Sequence, residues 1–469
     1  MAEKYDVICV GAGSTGLPLA IRAAQSGAKV LQIEADSRIG GTLHWSSGQI
    51  AAAGTRLQKQ HGIDDTPDEH FRDAQRIAND QIDPIVLKLF VDNAASTIDW
   101  LMDLGFQPAA GTPVVGENHE AYSKRRYLWG DNAGISILDV LRPVHEQLVA
   151  EGKVELLLGH RLSDLVTDDS GAVTGINVDD DSEIKTYHGT SVVLACGGYA
   201  AGVDLWNEIN PEISLNSHCN PFSRGDGIKA AQTLDAVVDG KEKFLCTFAG
   251  YLEDPEDPTS AEFLLLSPKS RNIWEIFVDG QGKRFMTEDH QSIDYRERSL
   301  LNQPGMKMNI VFDHAILENA APLTLLTDDQ YRSKFGNHPN FVKANTIEEL
   351  AEALGVPFTS LSNTIQNYNA SVDSKKDHDF NKFFLIRKIM NPPFYGIKAA
   401  GITVLSPAGL AVDKELRVLN NSGNIIPNLY AGGEILGFGR ISGNAFVGGL
   451  SLTPALTFGK LLGERLAVS

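Results

Sequence analysis

Apolar residues run together at 5–10 (YDVICV), recur at helical spacing through LPLAIRAAQ, and run together again at 30–34 (VLQIE). Short apolar runs bounded by glycine read as buried strands, and the stretch between them as a helix, so the chain opens as a βαβ unit. SVVLACGG at 191–198 and LYAGGE at 429–434 are further apolar strands ending in glycine pairs, so three strands converge on one face. Around 67 to 105, DEHFRDAQRIAND and VDNAASTIDWLMDLG carry helical spacing. NIWEIFVDGQGKRF predicts a strand turning at DGQG, and LRVLNNSGNIIPNLYAGG a hairpin about NNSGN. The apolar, leucine- and alanine-rich run LSLTPALTFGKLLGERLA predicts a last helix, with Ser451 in its first turn and Pro454 tolerated near its start.

Composition narrows the class. The 469 residues are 42% hydrophobic and 22% charged, enough for a buried core divided over two or three domains. Sixty acids against 41 bases give a formal charge of −19, which repels nucleic acid and anionic membrane surfaces at long range. Cys9, Cys196, Cys219 and Cys246 are scattered without a CxxC, so neither a disulfide framework nor a metal centre is expected. MAEKYDVICVGAG passes from polar residues into a strand without an apolar signal core, and no run of eighteen apolar residues follows. The expectation is a cytoplasmic protein without a membrane partner.

The first turn, GAGSTG, carries the first chemistry. Gly11 allows the tight turn, Gly13 lets the backbone approach a pyrophosphate, and Gly16 lets helix and strand pack closely, with Ser14 and Thr15 between them at the helix start. Glu34, followed by Ala35, is placed to take a ribose hydroxyl. A glycine turn without a ligand is the competing reading, opposed by the framing strand, helix and terminal acid. The next stretch, SRIGGTLHWSSGQIAAAG, separates FAD from NAD: Gly40, Gly41, Thr42, Ser47 and Gly48 form a small-residue loop of the kind that runs past a pyrophosphate toward an isoalloxazine. Ala195, Gly197 and Gly198 at one glycine-ended strand, Asp226 in SRGDGIKAA, and Gly433 and Glu434 at the other complete the candidate cofactor contacts.

These stretches, together with VDGQGKRFMTED, FYGIKAAGITVLSPAGLAVD and GGLSLTPALTFGKLLG, resemble the FAD-dependent fumarate reductase and ketosteroid dehydrogenase family over nearly the whole chain. The resemblance implies an α/β fold: a Rossmann-type, glutathione-reductase-like FAD-binding domain, interrupted by an α+β cap or substrate domain. The boundaries expected are 1–240 and 389–469 for the FAD domain and 241–388 for the cap. It also implies FAD held by Gly449, Leu450, Ser451 and Leu452 at the N-terminus of the last helix, where the macrodipole stabilises negative charge. His44 stands where membrane-complex relatives attach FAD covalently, but LHWSSGQ resembles the soluble relatives, so non-covalent FAD is expected.

Family chemistry moves a hydride between the β-carbon and flavin N5, next to a carbonyl or carboxylate, while a side chain handles the α-proton. Such a site needs an oxyanion donor and a proton residue. The dicarboxylate clamp of the fumarate reductases is incomplete: GITVLSPAGLAVD has no histidine, and the last histidine of the chain is His378. Arg440, in GRISGN, either holds a substrate carboxylate or pairs with acids. Arg296 and Arg298 lie farther beyond GKRF than the family's proton-delivering arginine, with Tyr295 beside them, and Arg284 within GKRF is read as a support of the cap. The ending GGLSLTPALTFG resembles the ketosteroid branch, although Ala445 or Phe446 stands where that branch has a loop tyrosine. An enolate then needs the Gly449 N–H and another donor, with Tyr122 and Tyr127, beside Trp129, as phenols that are either catalytic or structural. The expected activity is desaturation next to a ketone in a 3-ketosteroid or smaller oxo-ring, with an oxo-cyclohexane carboxylate as one form and an unidentified electron acceptor. Reduction of an unsaturated acid is the alternative.

Overall fold

The computed structural model describes residues 4–180 and 182–467 and divides them into two compact units. The first unit takes the described residues within Met1–Asn210, Cys219–Phe244 and Leu405–Ser469. Its centre is a parallel sheet in which Ile425–Ala431, Ile184–Leu194, Lys4–Val10, Val30–Glu34 and Val154–Leu158 lie side by side in that order. Cys9 pairs with Val193 and Gln32, and Tyr430 with Val193, so the glycine-ended strands finish together at one edge. Val7, Ile8, Val192, Val193 and Leu429 are fully buried, as expected for strands covered on both faces. The helix Gly16–Gln25 packs against the last helix, Leu452–Leu466, and against Ile135–Ala150. The predicted helices at 67 to 105 are Pro67–Ile77 and Pro84–Asp103, each begun by a side-chain cap, from Thr66 and Asp83. The NNSGN hairpin joins Arg417–Leu419 to Ile425–Ala431.

The second unit takes Pro211–His218 and Leu245–Val404. It is built on an antiparallel sheet in which Phe394–Ile402 pairs with Thr247–Leu252, Lys307–Asp313 and Phe341–Ala344. Phe312, Phe335, Phe341 and Tyr395 stack and edge against one another beside it. The boundary expected at 389 therefore moves. Phe394–Ile402 is the centre of this sheet and belongs to the second unit, because its ladder partners are there. Residues 211–218 join that unit as well, through Ser217 N–H donating to Pro258 O at 2.6 Å and His218 N–H to Thr403 O at 2.9 Å. Arg284 supports this unit, forked onto Glu288 at 2.6 and 2.7 Å and donating to Asp377 at 2.8 Å. Among the described residues, no helix is long and apolar enough to cross a membrane.

Candidate functional site

In the first unit the carboxyl ends of the parallel strands open onto a cavity of about 720 Å³. Gly11, Gly13, Ser14, Thr15, Glu34, Ala35, Gly41, Thr42, Ala195, Gly197, Asp226 and Glu434 line it, twelve of the candidates read from sequence. Gly11 turns at φ +111°, where a Cβ would overlap the Ala195 carbonyl, so only glycine keeps the strands this close. The N–H groups of Gly13, Ser14 and Thr15 at the helix start, and of Gly41 and Thr42, find no acceptor among the described residues. The two loops are tied together by the Gly40 N–H, which donates to the Ala12 carbonyl at 2.8 Å. Five unpaired donors around one concavity, with the positive end of a ten-residue helix behind three of them, form an anion cradle.

The acids of this cavity have distinct environments. Glu34 accepts from the Ala12 N–H at 2.7 Å and the Asp36 N–H at 2.9 Å; burial raises its pKa, while these amides pull it down. Glu434 accepts from the N–H and hydroxyl of Ser406 at 2.9 and 3.1 Å, and burial raises it too. Asp226 is ion-paired with Arg161. The remaining candidates do not line the cavity. Gly198 backs onto Ser406 and Glu434, Gly433 onto Thr15, and Gly48 onto Ala133, while Ser47 faces solvent. The reading missed His160, Cys196, Asn220, Phe222 and Ser223, which also line it. Asn220 and Phe222 lie just before the quoted SRGDGIKAA, whose first residue is Ser223, and could have been found by extending that motif; His160 had no local signal.

A second cavity, of about 450 Å³, lies in the same unit and is lined by Gln49, Val115, Glu117, His119, Glu120, Tyr122, Tyr127, Phe446 and Gly448 among others. The stretch from Thr42 to Gln49 links the two cavities along the chain. Gln49 precedes the strand Ile50–Ala51, in which Ala51 pairs with Tyr127 and donates its N–H to the Thr453 hydroxyl at 2.9 Å. Gly449, at φ +80°, packs on that strand so closely that a Cβ would stand 2.6 Å from the Ala51 nitrogen. The N–H groups of Gly449 and Ser451 have no acceptor among the described residues. Leu450 and Ser451 lead into the last helix, which Leu452 begins.

The two tyrosines separate here. The Tyr122 hydroxyl donates to the Gly448 carbonyl at 2.5 Å, and its ring lies 4.9 Å from the buried Arg126 guanidinium. The Tyr127 hydroxyl has no hydrogen-bond partner among the described residues, and burial plus the Glu117 carboxylate push its phenol well above the ordinary tyrosine range. His119 stacks on Phe446 with centroids 4.0 Å apart. Among the described residues no arginine or lysine lines this cavity, although Arg76 pairs with the lining Glu120 at 2.7 Å.

Arg440 is elsewhere. It is buried, paired with Asp83, and donates to the Leu410 carbonyl at 2.9 Å, so of the two readings its geometry favours a structural ion pair over a substrate clamp. Tyr295 and Arg296 belong to the second unit. Tyr295 accepts from the Thr287 N–H at 3.3 Å and stacks on His290. Arg296 is buried, donates to the Leu266 carbonyl, faces Phe248, and is lowered to about 10 by burial.

A model described as FAD binding domain matches residues 6–452. The chain belongs to this FAD-binding family. It is 27% identical over 469 residues to a fumarate reductase (cytochrome) of Shewanella frigidimarina, covering 99% of this chain and 77% of that one. A vinyl phenol reductase of Lactiplantibacillus plantarum is 25% identical, over 92% of this chain and 90% of its own. The structure of a 3-ketosteroid delta1-dehydrogenase from Sterolibacterium denitrificans superposes with a TM-score of 0.78 at 20% identity, over 99% of both chains, and shows the shared fold. The protein is an FAD-dependent oxidoreductase. The unpaired amides of the first cavity and the buried Glu34 at its rim fit a dinucleotide's pyrophosphate and ribose.

Proposed function

We propose that this flavoprotein oxidises the CH–CH bond beside a ketone in a flat, uncharged ring substrate, a 3-ketosteroid or smaller oxo-ring. The observation that carries the reading is the second cavity, walled by Tyr127, Tyr122, His119 and Phe446, with no arginine or lysine among the described residues that line it. A dicarboxylate there would find carboxylates in the lining and, among the described residues, no lining guanidinium; the Arg76 guanidinium at the rim is engaged by Glu120 at 2.7 Å. With Arg440 committed to Asp83, a ring carboxylate also loses its expected partner, so the oxo-cyclohexane carboxylate is the less favoured form.

FAD, when bound, supplies the hydride acceptor. Tyr127 handles the α-proton, because among the described residues its hydroxyl has no partner, the ring lines the cavity, and the aromatic walls keep water from competing. The Gly449 N–H donates to the carbonyl oxygen as negative charge develops there. Tyr122 is the loop's anchor, since its proton is already given to Gly448. FAD is held without a covalent bond: the His44 ring is bonded to the Ile39 carbonyl at 2.9 Å, and His44 lines a separate groove beside Arg142 and His145. The partners are a small-molecule substrate and a separate electron acceptor, in the cytoplasm, a compartment that suits four free cysteines.

Turnover with an artificial acceptor tests the reading. Ring ketones are expected to support dye reduction and succinate not to; the reverse order would overturn it. Reduction of a conjugated C=C by the same residues is the second reading, favoured by the likeness to the vinyl phenol reductase over nearly the whole chain.

A further inference from the structure

We propose that Arg126 and His70 are positioning residues that act through Tyr122 to orient and polarise the Gly448–Gly449 peptide, making the Gly449 N–H a pre-set oxyanion donor. The inference rests on the reading that this N–H receives the substrate carbonyl.

The Gly448–Gly449 bond is trans, so its N–H points opposite to its C=O. Tyr122 fixes the carbonyl end at 2.5 Å. The amide end therefore points away from Tyr122, and Gly449 is buried with no acceptor for that N–H among the described residues. A buried backbone donor without a partner is rare in folded proteins and calls for a ligand atom. Rotation of the peptide is blocked from the other side, where Gly449 rests on the Ile50–Ala51 strand.

What lies behind Tyr122 strengthens this donor. Arg126 is fully buried, held by Asp65 at 2.7 and 2.9 Å and by Asp73 at 2.7 Å, which fixes its plane 4.9 Å from the Tyr122 ring. Burial raises this phenol's pKa, and the Arg126 cation over the ring opposes that rise against the smaller contrary effects of Asp73 and Asp65, which favours donation to Gly448. Asp73 also accepts the N–H and hydroxyl of Ser123 at 2.8 and 2.6 Å, anchoring the residue after Tyr122. With its proton on Gly448, the Tyr122 oxygen is an acceptor toward His70 Nε2, 3.4 Å away. Burial, with Arg126 adding to it, holds His70 neutral, and its buried Nδ1 has no partner among the described residues, as suits the bare nitrogen of the Nε2–H tautomer. A chain of donors ending on a carbonyl polarises the amide on that carbonyl's other side. Arg126 thus reaches the site without touching substrate.

The test is the infrared carbonyl stretch of a bound ring ketone fully methylated at both carbons beside its carbonyl, measured on the holoenzyme. The wild type is expected to lower the stretch relative to the ketone in buffer. Tyr122→Phe, which keeps the ring on Arg126 and removes only the hydroxyl, is expected to return it part-way, with kcat falling roughly tenfold and KM little changed, a smaller loss than removal of an oxyanion donor itself. Replacing Tyr122 with 3-fluorotyrosine, a stronger acid, is expected to lower the stretch further, and the charge-neutral pair Arg126→Gln with Asp65→Asn to raise it. No lowering in the wild type would overturn the carbonyl-binding reading. Lowering that is the same in the wild type, Tyr122→Phe and the fluorotyrosine protein would overturn this proposal and leave that reading standing.

Discussion

Arg440 and Asp83 are joined twice: the guanidinium pairs with the Asp83 carboxylate, and the Asp83 N–H donates to the Arg440 carbonyl at 3.0 Å. Asp83 also caps the helix Pro84–Asp103 by accepting the Ile85 N–H at 2.9 Å. The pair therefore fastens the glycine-rich loop to that helix. Arg440→Ala is expected to cost about 2–4 kcal/mol of stability by leaving a partly buried carboxylate unpaired, with KM for an uncharged substrate unchanged. Denaturant unfolding beside steady-state kinetics checks it; a large rise in KM at unchanged stability would return Arg440 to the substrate.

Glu34 holds the first turn through the Ala12 amide, so its removal disturbs the cofactor before the fold. Glu34→Ala is expected to weaken FAD binding at least tenfold, about 1.4 kcal/mol, read from the fluorescence of released flavin on dilution. Unchanged retention would remove Glu34 from the cofactor's contacts.

Tyr127 sets the pH dependence of the oxidation. Its phenol is raised by burial and by Glu117, so the base form becomes available only above the ordinary tyrosine pKa of about 10. On this account kcat/KM for ketone oxidation climbs tenfold per pH unit and is still rising at pH 10. Tyr127→Phe lowers the rate by about 10²–10⁴ and abolishes the slope. A plateau near pH 7, or a slope that survives the substitution, would assign the proton to another group.

His145 gives the protein a stability loss in mild acid. Its ring bonds Gln32 Oε1 at 2.6 Å, and burial lowers its pKa from 6.5 to about 4. The unfolded chain binds the proton first, so this contribution is full above pH 6.5 and is lost as pH falls toward 4. Between pH 7 and pH 5 it amounts to about 2 kcal/mol. His145→Gln is expected to flatten that part of the pH–stability curve; an unchanged curve would show that the ring is not held neutral.

The cofactor side of the molecule was legible because its chemistry is written in local pattern. Strand, glycine turn, helix and terminal acid occupy 5–34 without interruption, and each glycine-ended strand marks the same sheet edge. The ring cavity was not legible in the same way. Glu117, His119 and Glu120 sit in an irregular polar stretch, VGENHE, whose spacing predicts no element, and they meet Phe446 only through folding. Tyr122 and Tyr127 were equivalent in sequence; one hydrogen bond to Gly448, 326 residues away, separates them. The boundary at 389 failed for a related reason: FYGIKAAGI runs into the next stretch without a turn signal, and only its ladder partners assign it.

The most direct test is anaerobic mixing of the oxidised holoenzyme with a panel of cyclohexanones, 3-ketosteroids and saturated dicarboxylic acids, following the oxidised flavin band. The account predicts rapid bleaching by at least one ring ketone and none by succinate, with the bleaching rate falling sharply in Tyr127→Phe. If no ketone bleaches the flavin while fumarate reoxidises the dithionite-reduced enzyme, the oxidation of an uncharged ring is contradicted.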